Sequence, residues 1–258
     1  MMPARRVARL GILAVAAMLP LAAEAQRSGG GRSTLGDSLP APGLSAAFAG
    51  GAACAPIASP YGSPTRYDGS SRPSGGAEGA HGGIDLTLAE GTPLRAVAAG
   101  RVFASGAGGM MEGVFLWILH LPEATGLGFA FLAKYQHLRE PSPLRVGDTV
   151  TLGQEVARSG KTGTVGGHYG AFGYPHLHLT VRALTPESAR RAAAGGEIRI
   201  LGDSVMVDPL TIYLPDLRSP ADAAALTPEQ KRLTIASVAA DGTLRPAEAR
   251  SVWPVACP

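Results

Sequence analysis

Residues 175–183 read Pro175-His176-Leu177-His178-Leu179-Thr180-Val181-Arg182-Ala183, a stretch in which polar and apolar side chains alternate. A period of two belongs to a half-buried β-strand, with His176, His178 and Thr180 on one face and Leu177, Leu179 and Val181 on the other, toward a core. The histidines then stand about 7 Å apart along the strand, so one can ligate a metal while the other stands beside it. Taken alone, a His-x-His pair reads first as two solvent-facing histidines on an exposed sheet.

Upstream of this strand the chain repeats the same kind of pattern. Short apolar or alternating runs follow one another between Ala80 and Tyr213, among them IDLTL, PLRAVAAGRVFA, VFLWILHL, GFAFLAKYQHL and DTVTLGQEVA, with glycines at the turns. The runs are too short for helices and are spaced as in a compact antiparallel β-sandwich. Two stretches read as helical: Pro186 to Ala194, with Thr185 as a cap, and Pro220 to Leu226. Residues 216–258 are too few to fold alone and read as a C-terminal extension packing on the domain.

The N-terminus is of another kind. Arg5, Arg6 and Arg9 precede an apolar run from Leu10 to Ala22 and the small-residue pattern Ala23-Glu24-Ala25. This is the pattern of a secretory signal peptide over residues 1–25, and the apolar run, interrupted by Pro20, is short of the roughly 20 residues a membrane span needs. The signal carries three arginines and one glutamate, so the formal net charge of +3 falls to +1 without it. Nucleic acid is therefore not an expected partner, nor is a membrane beyond the export signal. Residues 26–60, rich in Gly, Ser, Ala and Pro, read as a flexible linker, and the folded domain is expected over residues 61–215. Cys54 and Cys257 are the only cysteines. In an exported protein they are expected to form a disulfide, the alternative being two separate buried thiols.

Two more histidine elements matter. In His81-Gly82-Gly83-Ile84-Asp85 the outer residues lie about 13 Å apart if the backbone is a regular strand, too far to share an ion. A bend at the paired glycines would bring them together. By itself the spacing is a weak metal signature. His137, in Tyr135-Gln136-His137-Leu138, is a lone histidine after an apolar run and alone proves nothing.

Together and in this order, the three elements resemble the lysostaphin-like (LytM-type) zinc peptidases that cut peptide bridges of bacterial peptidoglycan. HGGIDLTLAEGTPLRAVAAGRV, YQHL, VGDTVTLGQEVARSGKTG and PHLHL carry the likeness, which covers roughly Tyr61 to Tyr213. The resemblance implies a mainly β fold, a sandwich built on a duplicated hybrid motif with few short helices and a groove over one sheet. It implies one Zn²⁺ per chain held by His81, Asp85 and His178, with His176 and His137 as the catalytic histidines. Tyr135 and Tyr174 are expected to line the substrate groove.

Two histidines and a carboxylate leave one position of a tetrahedral zinc open, the mark of a catalytic rather than a structural site. The chain has no His-Glu-x-x-His motif to supply a glutamate base, so proton handling and oxyanion stabilisation fall to His176 and His137. The expected function is an exported metalloendopeptidase acting on peptidoglycan peptides, a monomer in the periplasm or outside the cell. The alternatives are a catalytically silent regulator of a cell-wall amidase and a secreted peptidase for glycine-rich proteins. A biotinyl or phosphocarrier module shares the glycine-turn hairpins but lacks an attachment-lysine motif.

The chain departs from the family pattern in places. Thr164-Val165-Gly166-Gly167-His168-Tyr169-Gly170-Ala171-Phe172-Gly173-Tyr174-Pro175 is longer than expected and reads as an enlarged loop beside the groove. Thr180 stands where an acidic residue is common, and Arg66 only loosely matches an arginine often found ahead of the first motif. His120 reads as structural or exposed and His168 as a loop residue. Tyr169 and Phe172 are further candidates for the groove wall.

Overall fold

The computed structural model describes residues 38–72, 79–109, 111–164 and 173–258. The proposed signal peptide, His168, Tyr169 and Phe172 lie outside them. The described chain is mainly β. Its strands are β1 (Ser45–Phe48), β2 (Ile57–Ser59), β3 (Ile84–Thr87), β4 (Pro93–Arg95), β5 (Gly100–Ala107), β6 (Val114–His120), β7 (Phe131–Leu138), β8 (Thr149–Val150), β9 (Glu155–Arg158), β10 (His176–Leu184), β11 (Ser204–Val207), β12 (Arg232–Ile235), β13 (Ser237–Val238) and β14 (Leu244–Arg245). The helices are few and short, with α1 at Pro122–Thr125 and α2 at Pro186–Ala193.

One antiparallel sheet dominates, in the order β2-β3-β10-β7-β6-β5-β8. The long strand β10 is its axis. Along one edge β10 pairs first with β3, through residues 176–179, and then with β11, through residues 181–184, while β7 runs along its other edge. The alternation read from the sequence is realised here, with Leu177, Leu179 and Val181 fully buried in the main core. Opposing them are the small β4–β9 sheet, with buried Leu94 and Val156, and C-terminal residues including Ile235, Trp253 and Val255. A second cluster, built on Trp117, Leu119, Leu132 and Leu184, fills the other face at the far end of β10, where Ala192 of α2 joins it.

The helices follow their caps. Thr185 accepts a hydrogen bond from the Ser188 amide at the start of α2. At Pro220–Ala225 the segment is a 3-10 helix closed by a reciprocal Ser219–Asp222 capping box. Among the described residues no helix is long and apolar enough to cross a membrane.

The segment read as a linker differs from that expectation where it is described. β1 pairs with β12 in parallel and β2 pairs with β3. Between them Cys54 is joined to Cys257 across 203 residues. The indole of Trp253 packs edge-on against Phe48 and donates to the Ala55 carbonyl at 3.1 Å. Glycine and alanine suggested freedom in this segment, but pairing to distant strands satisfies its backbone, and such contacts leave no local periodicity.

Candidate metal centre

The register of β10 against β3 places His178 beside Asp85. His178 Nδ1 lies 2.8 Å from Asp85 Oδ1. His81 reaches the same point from the loop before β3, its Nε2 being 3.1 Å from Asp85 Oδ1 and 3.1 Å from His178 Nδ1. The bend between His81 and Asp85 uses glycine for room rather than for unusual backbone angles, since neither Gly82 nor Gly83 has a positive φ. A Cβ on Gly83 would fall on the Leu179 carbonyl oxygen, and one on Gly82 would come 2.9 Å from the Met206 sulfur.

These three residues form a group that could hold a metal ion. The donor set fits such an ion. A tetrahedral cation with bonds of about 2.0–2.1 Å separates its ligand atoms by roughly 3.3 Å, a few tenths more than the spacing found here. The far ring nitrogens have partners of their own. His81 Nδ1 lies 3.0 Å from the Pro60 carbonyl oxygen, and His178 Nε2 lies 3.0 Å from Thr180 Oγ1. Ring protons can therefore sit on the outer nitrogens, leaving lone pairs directed at the centre.

The electrostatics agree. Burial alone would raise the Asp85 carboxyl, but hydrogen bonds and charge from His178 and His81 hold it well below the usual carboxylate range. Burial lowers His178 to about 4 despite Asp85, so at neutral pH the pair is a carboxylate against a neutral imidazole, the protonation state a metal needs. Arg72, which the sequence reading passed over, stands on the other oxygen, its Nη2 3.5 Å from Asp85 Oδ2 and 2.9 Å from Ser59 Oγ. Arg66 turns away and bonds the Ser71 carbonyl at 2.6 Å.

His176 and His137 stand next to this cluster. His176 is buried, its Nε2 3.7 Å from Asp85 Oδ1 and its Nδ1 2.7 Å from the Tyr174 carbonyl. The His137 ring lies 4.5 Å from that of His176 and 6.0 Å from that of His178, with Nδ1 2.9 Å from the Thr162 carbonyl. Burial pushes both below the ordinary histidine value, His137 to about 4. Both are therefore neutral at pH 7 and present Nε2 inward.

His137 reaches this position through a break in alternation. Val114 pairs with Leu138 and Leu116 with Tyr135, so β7 carries one residue more than β6 over this stretch. The extra residue is accommodated at His137, whose φ is 61°, one of two positive values among described non-glycine residues. A bulge re-aims side chains, and here Tyr135 and Leu138 both enter the core while His137 faces the cluster. Left-handed backbone at a residue bearing a Cβ costs about 1–2 kcal/mol, so the surroundings must hold it.

The two tyrosines expected to line the groove do something else. Tyr135 is fully buried; its hydroxyl accepts from the Val97 amide at 2.9 Å and donates to the Arg95 carbonyl at 3.1 Å. The bulge explains the difference, because strict alternation would have put Tyr135 and His137 on one face. Tyr174 is also buried, with its hydroxyl hydrogen-bonded to Thr87. Its ring stacks on His176 at 4.6 Å and on Tyr67 at 3.9 Å. It backs a histidine, and the more exposed Tyr67, which the sequence reading did not single out, forms the outer layer. His120 lies away from the cluster, fully buried against Phe131 with Nδ1 3.0 Å from the Ala99 carbonyl.

Comparison with known proteins agrees with the expected family. Residues 79–191 match the model of peptidase family M23. A protein of Haemophilus influenzae described as an uncharacterized metalloprotease is 30% identical over 168 residues, which is 64% of this chain but 27% of that protein. The chain thus spans about a quarter of the length of that curated relative. Among solved structures, the catalytic domain of lysostaphin from Staphylococcus simulans is 22% identical, with 58% of this chain and 86% of that one covered at a TM-score of 0.39. A zinc-containing peptidase from Vibrio cholerae is 26% identical, with 53% and 36% covered and a TM-score of 0.39. The matched stretch, residues 79–191, carries His81, Asp85, His137, His176 and His178.

Proposed function

We propose that the protein is an exported zinc endopeptidase that hydrolyses peptide bonds in the stem or cross-bridge peptides of peptidoglycan. The observation that carries this reading is the convergence of His81 Nε2, Asp85 Oδ1 and His178 Nδ1 on one point, with two neutral histidines beside it. Zinc bound there would lower the pKa of water toward about 7 and polarise the scissile carbonyl. His81, Asp85 and His178 would hold the ion, and Arg72 and Thr180 steady two of them from behind.

His176 and His137 do the protein's share of the chemistry. Each has Nδ1 on a main-chain carbonyl, so the proton resides on Nδ1 and Nε2 is the unprotonated, basic nitrogen. One Nε2 accepts a proton of the attacking water, faces as Nε2–H the oxygen on which negative charge grows, and then passes that proton to the leaving amine, while the other accepts a hydrogen bond from the same water and orients it. A base with so low a pKa is not protonated at neutral pH, and burial of the pair keeps bulk water off the reacting atoms. Export is supported by the pattern of residues 1–25 and by the Cys54–Cys257 bond, which persists in an oxidising compartment.

Digestion of purified sacculi with the zinc-loaded protein, followed by mass spectrometry of the fragments, tests the reading. New peptide termini are expected, abolished by chelator, restored by zinc, and reduced at least about 100-fold by His176→Ala. Zinc-loaded protein that releases no new termini sinks it.

A further inference from the structure

The strained backbone at His137 needs a brace, and it has one in a turn that the metal site does not otherwise use. Thr162 lies in the turn Lys161–Thr164, closed by the Thr164 amide on the Lys161 carbonyl at 3.2 Å. It touches the end of β7 in two ways. Its carbonyl receives the His137 Nδ1 proton at 2.9 Å, and its hydroxyl donates to the carbonyl of the next residue, Leu138, at 2.6 Å. The same hydroxyl oxygen accepts from the Val114 amide at 2.9 Å. Val114 is the β6 residue paired with Leu138 across the bulge. One side chain thus bridges the two strands where their register slips by a residue.

The turn has little freedom to move. Gly163 and Gly113 pack backbone against backbone, both with positive φ, and a Cβ on either would collide with the other's segment. On its other side the turn meets the entry to β10, where Thr164 Oγ1 accepts from the Tyr174 amide at 3.0 Å and the Gly160 carbonyl accepts from the His176 amide at 3.1 Å. The segment 160–164 is therefore tied to both histidines that flank the metal cluster.

We propose that Thr162 is a positioning residue that fixes the left-handed backbone of His137 and its Nδ1–H tautomer, so that Nε2 faces the reacting atoms. The inference rests on the reading of His137 as a proton-handling residue. Without the hydroxyl, the Leu138 carbonyl and the Val114 amide lose their shared partner, and the extra residue of the bulge is free to relax. Relaxation toward regular alternation would turn the imidazole away from His176. Thr162 touches no ligand atom of the metal cluster, so metal binding is expected to survive its replacement.

Thr162→Val keeps the shape and removes the hydroxyl; Thr162→Ser keeps the hydroxyl. In zinc-loaded protein, Thr162→Val is expected to lower kcat about 10- to 100-fold with KM and zinc stoichiometry within about twofold, and Thr162→Ser to restore most of the loss. Equal kcat for wild type and Thr162→Val overturns the proposal, as does equal impairment of the Val and Ser variants. A second arm needs no substrate. In ¹⁵N-labelled wild-type protein the His137 ring should show a slowly exchanging Nδ1–H, absent or rapidly exchanging in Thr162→Val and present in Thr162→Ser. An Nε2–H tautomer in the wild type overturns the proposal even if the valine variant fails to fold. Should wild-type protein cleave nothing, the peptidase reading fails, while the spectrum still decides the role of Thr162.

Discussion

At the scale of single residues, the histidines separate by surroundings rather than by sequence context. Five of them are described, and each has a ring nitrogen near a main-chain carbonyl or a carboxylate. What distinguishes His120 is that its Nε2 is buried with no partner, well away from the cluster. Burial lowers its pKa from 6.5 to about 4, so the unfolded chain takes up a proton that the folded protein refuses. A depressed folded-state value means stability present above pH 6.5 and lost progressively as pH falls toward 4, by about 3 kcal/mol in all. With chelator present to remove the contribution of metal, His120→Asn should unfold in urea with a shallower dependence on pH between 7 and 4. An unchanged pH slope would show that His120 does not carry this term.

At the scale of elements, the site is the meeting of β3 with β10 and of β7 with β6, and these two junctions were not equally legible. The alternation in residues 176–181 gave the strand, its two faces and the placing of His176 beside His178. Two neighbouring glycines announced the bend at His81, although its physical reason is crowding against Leu179 and not backbone angle. The bulge in β7 left no such trace. It depends on the count of residues in a partner strand, and strict alternation therefore sent Tyr135 to the groove when it belongs to the core. Arg72 was hidden for a similar reason, since it lies thirteen positions ahead of Asp85 in the sequence. The crowding argument gives a sharp contrast. Gly83→Ala should weaken zinc binding at least about 10-fold by prising β3 from β10, whereas Gly82→Ala, which meets only the flexible end of Met206, should change it by less than about threefold. Calorimetric titration of the apo-proteins checks both, and equal affinities for the two variants would reject the account.

At the scale of the whole molecule, the N-terminal segment and the C-terminal segment form one structure. β1 lies on β12, Trp253 is hydrogen-bonded to Ala55, and Cys54 is bonded to Cys257. The bridge closes a loop whose entropy in the unfolded chain corresponds to about 5 kcal/mol in the chain-entropy model. Three residues beyond Cys54 the chain enters β2, and there Ser59 and Pro60 supply the hydroxyl and the carbonyl that meet His81 Nδ1. Reduction should therefore lower the melting temperature by about 10 °C or more and weaken zinc binding, with Cys54→Ser behaving like the reduced wild type. Unaltered zinc affinity after complete reduction would separate the bridge from the metal site.

That connection sets an order of assembly. The residues of the candidate metal site are brought together by β3, the loop before it and β10, while the strand steadying His81 begins three residues after a cysteine bonded to one 203 residues later. Were the chain exported as proposed, it would lack this bond in a reducing cytosol and gain it in an oxidising space. On the proposed function the bond would work as a delay, the strand beside His81 being pinned to the chain's end only after oxidation.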